Sequence, residues 1–225
     1  FERHDGSAVT CDDFVQAMQD ASSVDLAQFR RWYAQAGTPV LTVNGRYDAA
    51  AQTYTLDVAQ HTPPTPGQPV KEPFHVPFAL GLIDADGRDI PLRLVDEAAP
   101  LGTTRVLDVR AAQQSFTFAG IGQRPVPSLL RGFSAPAVVE FAYGEDDLAF
   151  LAAHDSDPVN RWDAAQRSFA DAILALAAAH GAGQPLVVPP SLRGIVAHLL
   201  HDHASDPALL ALALMPPASS YVAAL

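Results

Sequence analysis

The sequence predicts a mixed all-β plus all-α chain, an antiparallel β-sandwich flanked on both sides by helices. Two changes of hydrophobic period and the placing of turn residues carry that expectation. Apolar residues recur every three to four positions over 1–38, every second position over 39–144, and every three to four again over 145–225. These three ranges are the expected domain divisions. Nineteen prolines and fourteen glycines fall mostly between the periodic runs, as connections do.

In the first zone, Thr10 is placed to cap a helix, with Asp12 and Asp13 in its first turn where the helix dipole favours anions. Phe14, Val15 and Met18 would line one face. A second helix is expected from Asp25 as N-cap through Leu26, Phe29, Tyr33 and Ala36, with Gly37 as left-handed C-cap and Thr38-Pro39 stopping it.

In the second zone, LTV, TYTLDV, FHVPFALGL, RVLDV, SFTFAG and AVVEFAY read as strands rich in β-branched and aromatic residues. Asp86-Gly87 marks a tight turn, and the proline-rich HTPPTPGQPVKEP (61–73) reads as a surface connection. About seven short strands in roughly this length suggest a sandwich.

In the third zone, Asp157-Pro158 reads as a cap followed by proline at the first helical position. Trp162, Phe169, Ile173 and Leu176 form its stripe, and Gly181 after His180 is its expected end. Further helices are expected near 191–203 and from Asp206-Pro207 to Pro216. Tandem helices with short breaks resemble the opening of an α-solenoid.

The formal net charge of −11 argues against nucleic acid or an anionic membrane as partner, since both demand a basic surface. The lone cysteine, Cys11, excludes an intrachain disulfide and a cysteine-based zinc site, and reads as a small buried hydrophobe. No run reaches the roughly 18 apolar residues of a membrane-spanning helix, so a cytoplasmic location is expected. The chain opens FERHDG without an initiator methionine, which reads as an internal piece of a longer protein.

The chemistry-bearing residues converge poorly. HLLHDH (198–203) holds three of the eight histidines. At 100° per residue, His198 and His201 lie about 60° apart on the helix and His203 about 140–160° from them, on the buried face. That arrangement offers a surface pair for adventitious nickel or copper, lacking a third ligand. HExxH, GxSxG, a P-loop and GxGxxG are absent. The acidic turn Asp84–Asp89 has its glycine too early for a calcium loop and Val95 at its twelfth position, so a hairpin is the better reading. Glu145, Asp146 and Asp147 read as a helix start. The residues therefore nominate no catalytic, cofactor-binding or metal site.

The segment FERHDGSAVTCDDFVQAMQDASSVDLAQFRRWYAQAGTPVLTV resembles the bacterial aminopeptidase N family (alanyl aminopeptidases, gluzincin metallopeptidases), as do PVPSLLRGFSAPAVVEF, RWDAAQ and DPALLALALMPP in the same order. The resemblance implies that residues 1–38 are the last helices of a thermolysin-like catalytic domain, 39–144 its β-sandwich, and 145–225 the truncated start of a C-terminal helical domain. It also implies a parent enzyme that removes N-terminal residues from peptides, with a zinc-activated water and a glutamate general base. The family's zinc motif, its Gly-x-Met-Glu-Asn amine-binding loop and its oxyanion tyrosine match nothing in this chain. What the resemblance implies is thus a structural piece, inactive by itself, whose partners are the remainder of its own chain and, in the parent, peptide substrates. The rival reading is a stand-alone binding module that uses the sandwich as its recognition surface; a metal carrier built on His198 and His201 is a third.

Overall fold

The computed structural model describes residues 2–224. Helix α1 (Cys11–Ser22) starts where the sequence places it: Thr10 Oγ1 accepts from Asp13 N at 3.2 Å, and the Asp13 carboxylate accepts from Thr10 N at 2.9 Å. This reciprocal cap satisfies two N–H groups that the first turn would otherwise leave bare. Of its expected apolar face only Val15 is buried; Phe14 and Met18 are exposed, and so is Cys11, contrary to its reading as a buried hydrophobe.

The second helix is shorter than expected. Only Arg31–Ala34 (α2) is α-helical, preceded by turns, and Gln35 is extended. The reason lies in what the segment binds. Gln28 Nε2 donates to Pro73 O and Arg110 O, Trp32 Nε1 to His75 O, and Gln35 Nε2 to Glu72 O, while Gln35 Oε1 accepts from Glu72 N. The Trp32 ring stacks on Phe74 at 4.3 Å between centroids. Side chains tied to a neighbouring backbone fix the path more firmly than a fourth turn of helix would. Gly37, at φ +98°, therefore serves the bend into the first strand rather than a helix cap.

Seven strands follow: β1 (Val40–Asp48), β2 (Thr53–His61), β3 (Val76–Ile83), β4 (Thr104–Val109), β5 (Gln113–Ala119), β6 (Val126–Leu129) and β7 (Val138–Glu140). They form a four-stranded sheet in the order β5-β2-β1-β7 and a three-stranded sheet in the order β4-β3-β6. Leu41, Val43, Leu56, Val58 and Phe118 of the first meet Val76, Phe78, Leu80, Leu82, Leu107 and Val109 of the second in one core. The sandwich is thus the one expected. It departs from pure antiparallel pairing once, where β7 runs parallel to β1. After β6 the chain crosses from one sheet to the other through a 3₁₀ turn at Arg131–Phe133, so no hairpin imposes the opposite direction. Strand β6 lay hidden in PVPSLL because of its prolines; it occupies a sheet edge, where proline is tolerated.

The remaining elements are α3 (Glu145–His154), α4 (Pro158–Gly181), α5 (Pro190–His201), α6 (Pro207–Leu214) and α7 (Ser219–Val222). Asp157 caps α4 through Val159 N and Asn160 N, and Asp206 caps α6 through Ala208 N. The left-handed residue that closes α4 is Gly183 rather than Gly181: Gly183 N donates to His180 O and Gln184 N to Ala179 O. Leu148, Leu151, Ala164, Ile195 and Leu199 form a second core, which also takes in Ile83 of β3. Trp162, expected inside, is 44% exposed.

Strand β3 is consequently buried on both faces. Its inward residues fill the sandwich, while Ala79, Gly81 and Ile83 face the junction with the helices. That junction holds the buried polar side chains of Ser128, Arg131 and Asp155.

Candidate functional site

The outward position at the centre of the three-stranded sheet is Gly81, whose register partners are Thr104 on β4 and Ser128 on β6. These three small residues in a row leave a trough across the sheet. The Arg131 guanidinium lies in it; a Cβ at Gly81 would fall inside that group. Arg131 Nε donates to Ser128 Oγ at 2.7 Å and Nη1 to Thr104 Oγ1 at 2.9 Å. Nη2 donates to Asp89 Oδ1 at 2.6 Å and to Asp155 Oδ1 at 3.2 Å. The fork of the guanidinium thus reads both edge strands, the turn after β3 and the helical zone at once.

The local backbone is arranged to deliver this side chain. Leu130 (φ 58°), Gly132 (φ 62°) and Phe133 (φ 50°) are all left-handed, which turns the chain sharply after β6 and folds Arg131 back over the sheet. The turn is held from the helical side. Asp157 Oδ2 accepts from Gly132 N at 2.8 Å while its Oδ1 caps α4, and Asn160 Nδ2 donates to Ser128 Oγ and Leu129 O. Ser156 Oγ donates to Asp89 Oδ2. The Asp155-Ser156-Asp157 link between α3 and α4 is therefore a clamp on the sandwich.

Arg131 is 4% exposed and Asp155 2%. One cation faces two carboxylates here, in a place that water hardly reaches. Burial pushes the Asp155 carboxyl above the usual carboxylate range, against the hydrogen bond from Asp157 N and the pull of Arg131. Asp155 Oδ2 is buried with no partner, which is consistent with that direction. Drawing the helices away from the sandwich would strand Arg131 or Asp155 without its partner.

The Ser128, Thr104 and Ser156 hydroxyls are held by hydrogen bonds within this cluster, and of the residues weighed in the sequence only Asp89 and Asp157 come to it. His198 and His201 lie exposed on α5. His203 does not share the buried face, because α5 ends at His201; it is exposed. Among the described residues no three of the His, Cys, Asp and Glu side chains are grouped so as to hold a metal ion. The Asp84–Asp89 turn is the tight one expected, with Asp84 Oδ1 accepting from Asp86 N and Arg88 N. Glu145, Asp146 and Asp147 do open α3. Arg131 and Asp155 were not picked out in the sequence, and Asp89 was read there only as part of a hairpin turn. The only hint was the pair of small residues Ala79 and Gly81 on an otherwise bulky strand.

A cavity of about 180 Å³ opens at one end of the sandwich, between Gly45, Tyr54, Phe141 and the Arg124–Asp147 pair at 3.9 Å. Burial pushes the Tyr54 phenol upward, which leaves it protonated and unfit as a base.

Comparison with known proteins puts this cluster between two recognised kinds of domain. Residues 37–142 match a family model described as a domain of unknown function (DUF3458) with an Ig-like fold, and residues 145–225 match its companion (DUF3458_C), described as ARM repeats. Aminopeptidase N of Escherichia coli strain K12 is 46% identical over 225 residues, which is 100% of this chain and 25% of that protein. This chain is a homologue of part of bacterial aminopeptidase N. Aminopeptidase N of Haemophilus influenzae is 38% identical over 214 residues, and that of Caulobacter vibrioides 39% over 218; the chain spans 24% of each. A crystal structure of aminopeptidase A from Legionella pneumophila in complex with aspartic acid superposes with a TM-score of 0.77 at 27% identity, covering 95% of this chain and 22% of that one. The chain thus spans about a quarter of the length of the aminopeptidase N relatives it matches. Within that quarter lie the Ig-like sandwich and the ARM-type helices, and the Arg131 cluster is their joint.

Proposed function

We propose that this chain serves as a structural segment of a zinc-dependent aminopeptidase, setting the position of a helical wall against a rigid sandwich, and that it is inert as a peptidase by itself. What carries the reading is the extent of the likeness: aminopeptidase N relatives align with essentially the whole of this chain, yet it spans only a quarter of them. The donor set supports the second half. The sequence has no HExxH, and the histidines and carboxylates of the described residues do not group in threes. A catalytic zinc ion does not fit the residues present here, so its ligands belong to the remainder of the longer enzyme.

The remainder of the polypeptide is accordingly the expected partner, through α1 and through the outer faces of the helices. A peptidase cleft admits only chain ends when walls around it exclude folded substrates. The wall must hold a fixed angle, and a buried, hydrogen-bonded charge cluster at the joint supplies that. The cytosol remains the proposed location.

The test is direct. The purified 225-residue chain should release no chromophore from an alanyl or leucyl p-nitroanilide, with or without added zinc. Turnover that a chelator abolishes would overturn the proposal.

A further inference from the structure

The imidazole that stands beside His198 comes from another helix, not from HLLHDH. His154, the last residue of α3, and His198, on α5, have ring centroids 5.6 Å apart. Both residues are exposed. The His154 ring is backed by Phe150, with centroids 4.8 Å apart, and packs against the backbone of Gly87 in the Asp84–Asp89 turn of the sandwich. Three separate parts of the fold therefore meet at this pair.

The spacing has a chemical meaning. A ring nitrogen bonds a zinc-type ion at about 2.0–2.1 Å, so two imidazoles sharing one ion near the tetrahedral angle have centroids about 5–5.5 Å apart. The observed 5.6 Å meets this with a small rotation of exposed side chains. The nearby cation, Arg161, has its charge engaged by Asp202 at 2.8 Å. The chain as a whole is strongly acidic, which draws cations toward its surface.

We propose that His154 and His198 form a two-imidazole site for a first-row divalent transition ion, zinc or nickel, whose remaining positions are filled by water. This site is distinct from the pair that the sequence alone offers, His198 with His201 on a single helix. It would tie the end of α3 to α5 beside the sandwich turn, and so brace the same joint that Arg131 holds from within.

The experiment is calorimetric titration of zinc and of nickel chloride into the chelator-treated 225-residue chain, repeated on His154→Ala, His198→Ala and His201→Ala. NMR of the histidine side chains identifies which rings shift. One equivalent is expected, with affinity falling at least about tenfold in the first two variants and unchanged in the third, and with the resonances of His154 and His198 moving together. Should His154→Ala fail to fold, His154→Gln takes its place. Retention in His154→Ala with loss in His201→Ala would assign the ion to α5 alone and overturn the proposal. Equal binding by all variants, or no saturable binding, would overturn it as well.

Discussion

Truncating Arg131 would leave Asp89 and Asp155 facing each other across a seat only Gly81, Thr104 and Ser128 complete. The loss is of two kinds. The carboxylates lose their counter-ion in a place where water does not replace it, and the hydroxyls lose their donor. Arg131→Ala is therefore expected to destabilise the chain by about 3–5 kcal/mol in urea unfolding followed by tryptophan fluorescence. Arg131→Lys should recover only part of this, because a point ammonium cannot reach both edge strands and both aspartates at once. An Arg131→Ala variant within about 0.5 kcal/mol of the parent would show that the cluster is decoration. At this scale the sequence was nearly silent. Arg131 and Gly81 are unremarkable in their own strings, and Asp89 resembled a solvent-facing turn residue; what joins them is strand register.

Among the elements, the side-chain N-caps of α1, α4 and α6 were the most legible parts, and the extent of the 25–37 helix the least. Thr10, Asp157 and Asp206 cap where their side chains predict, since capping is decided within four residues. Segment 25–37 obeyed its tertiary neighbours instead, giving up helix to bind the 68–75 connection. The link between α5 and α6 shows how a local device carries a pH response. Asp202 accepts from Ser205 Oγ, from Arg161 and from the amides of Ser205 and Ala204, and these bonds hold its carboxyl far below the usual range. A carboxyl whose native pKa is depressed adds stability that is complete above its unfolded pKa and is lost as pH falls toward the native one. The stability advantage of the parent over Asp202→Asn should accordingly shrink as pH is lowered from about 6 to about 3, read from urea midpoints. An advantage that is flat across that window would mean the four hydrogen bonds do not depend on charge.

For the molecule as a whole, the outer helical face decides behaviour in solution. Leu212 is 51% exposed, Leu209 43% and Met215 60%, whereas Leu210 packs on the helical core. A contiguous apolar face of this kind seeks a partner. The isolated chain should associate as its concentration rises in sedimentation velocity, and Leu209→Glu with Leu212→Glu should return it to monomer. A parent chain that stays monomeric at all concentrations would refute this. The sequence by itself determined the class of each zone, the positions of most strands and the N-caps Thr10, Asp157 and Asp206, because period and capping are properties of a few consecutive residues. It also identified the likeness to aminopeptidase N, which lies in strings of residues. Only the tertiary structure decided that β7 runs parallel to β1, that His154 rather than His201 stands beside His198, and that a buried arginine joins sandwich to helices. Each of those depends on which distant segments share a register or a face, and side-chain period along one strand or helix carries no information about that.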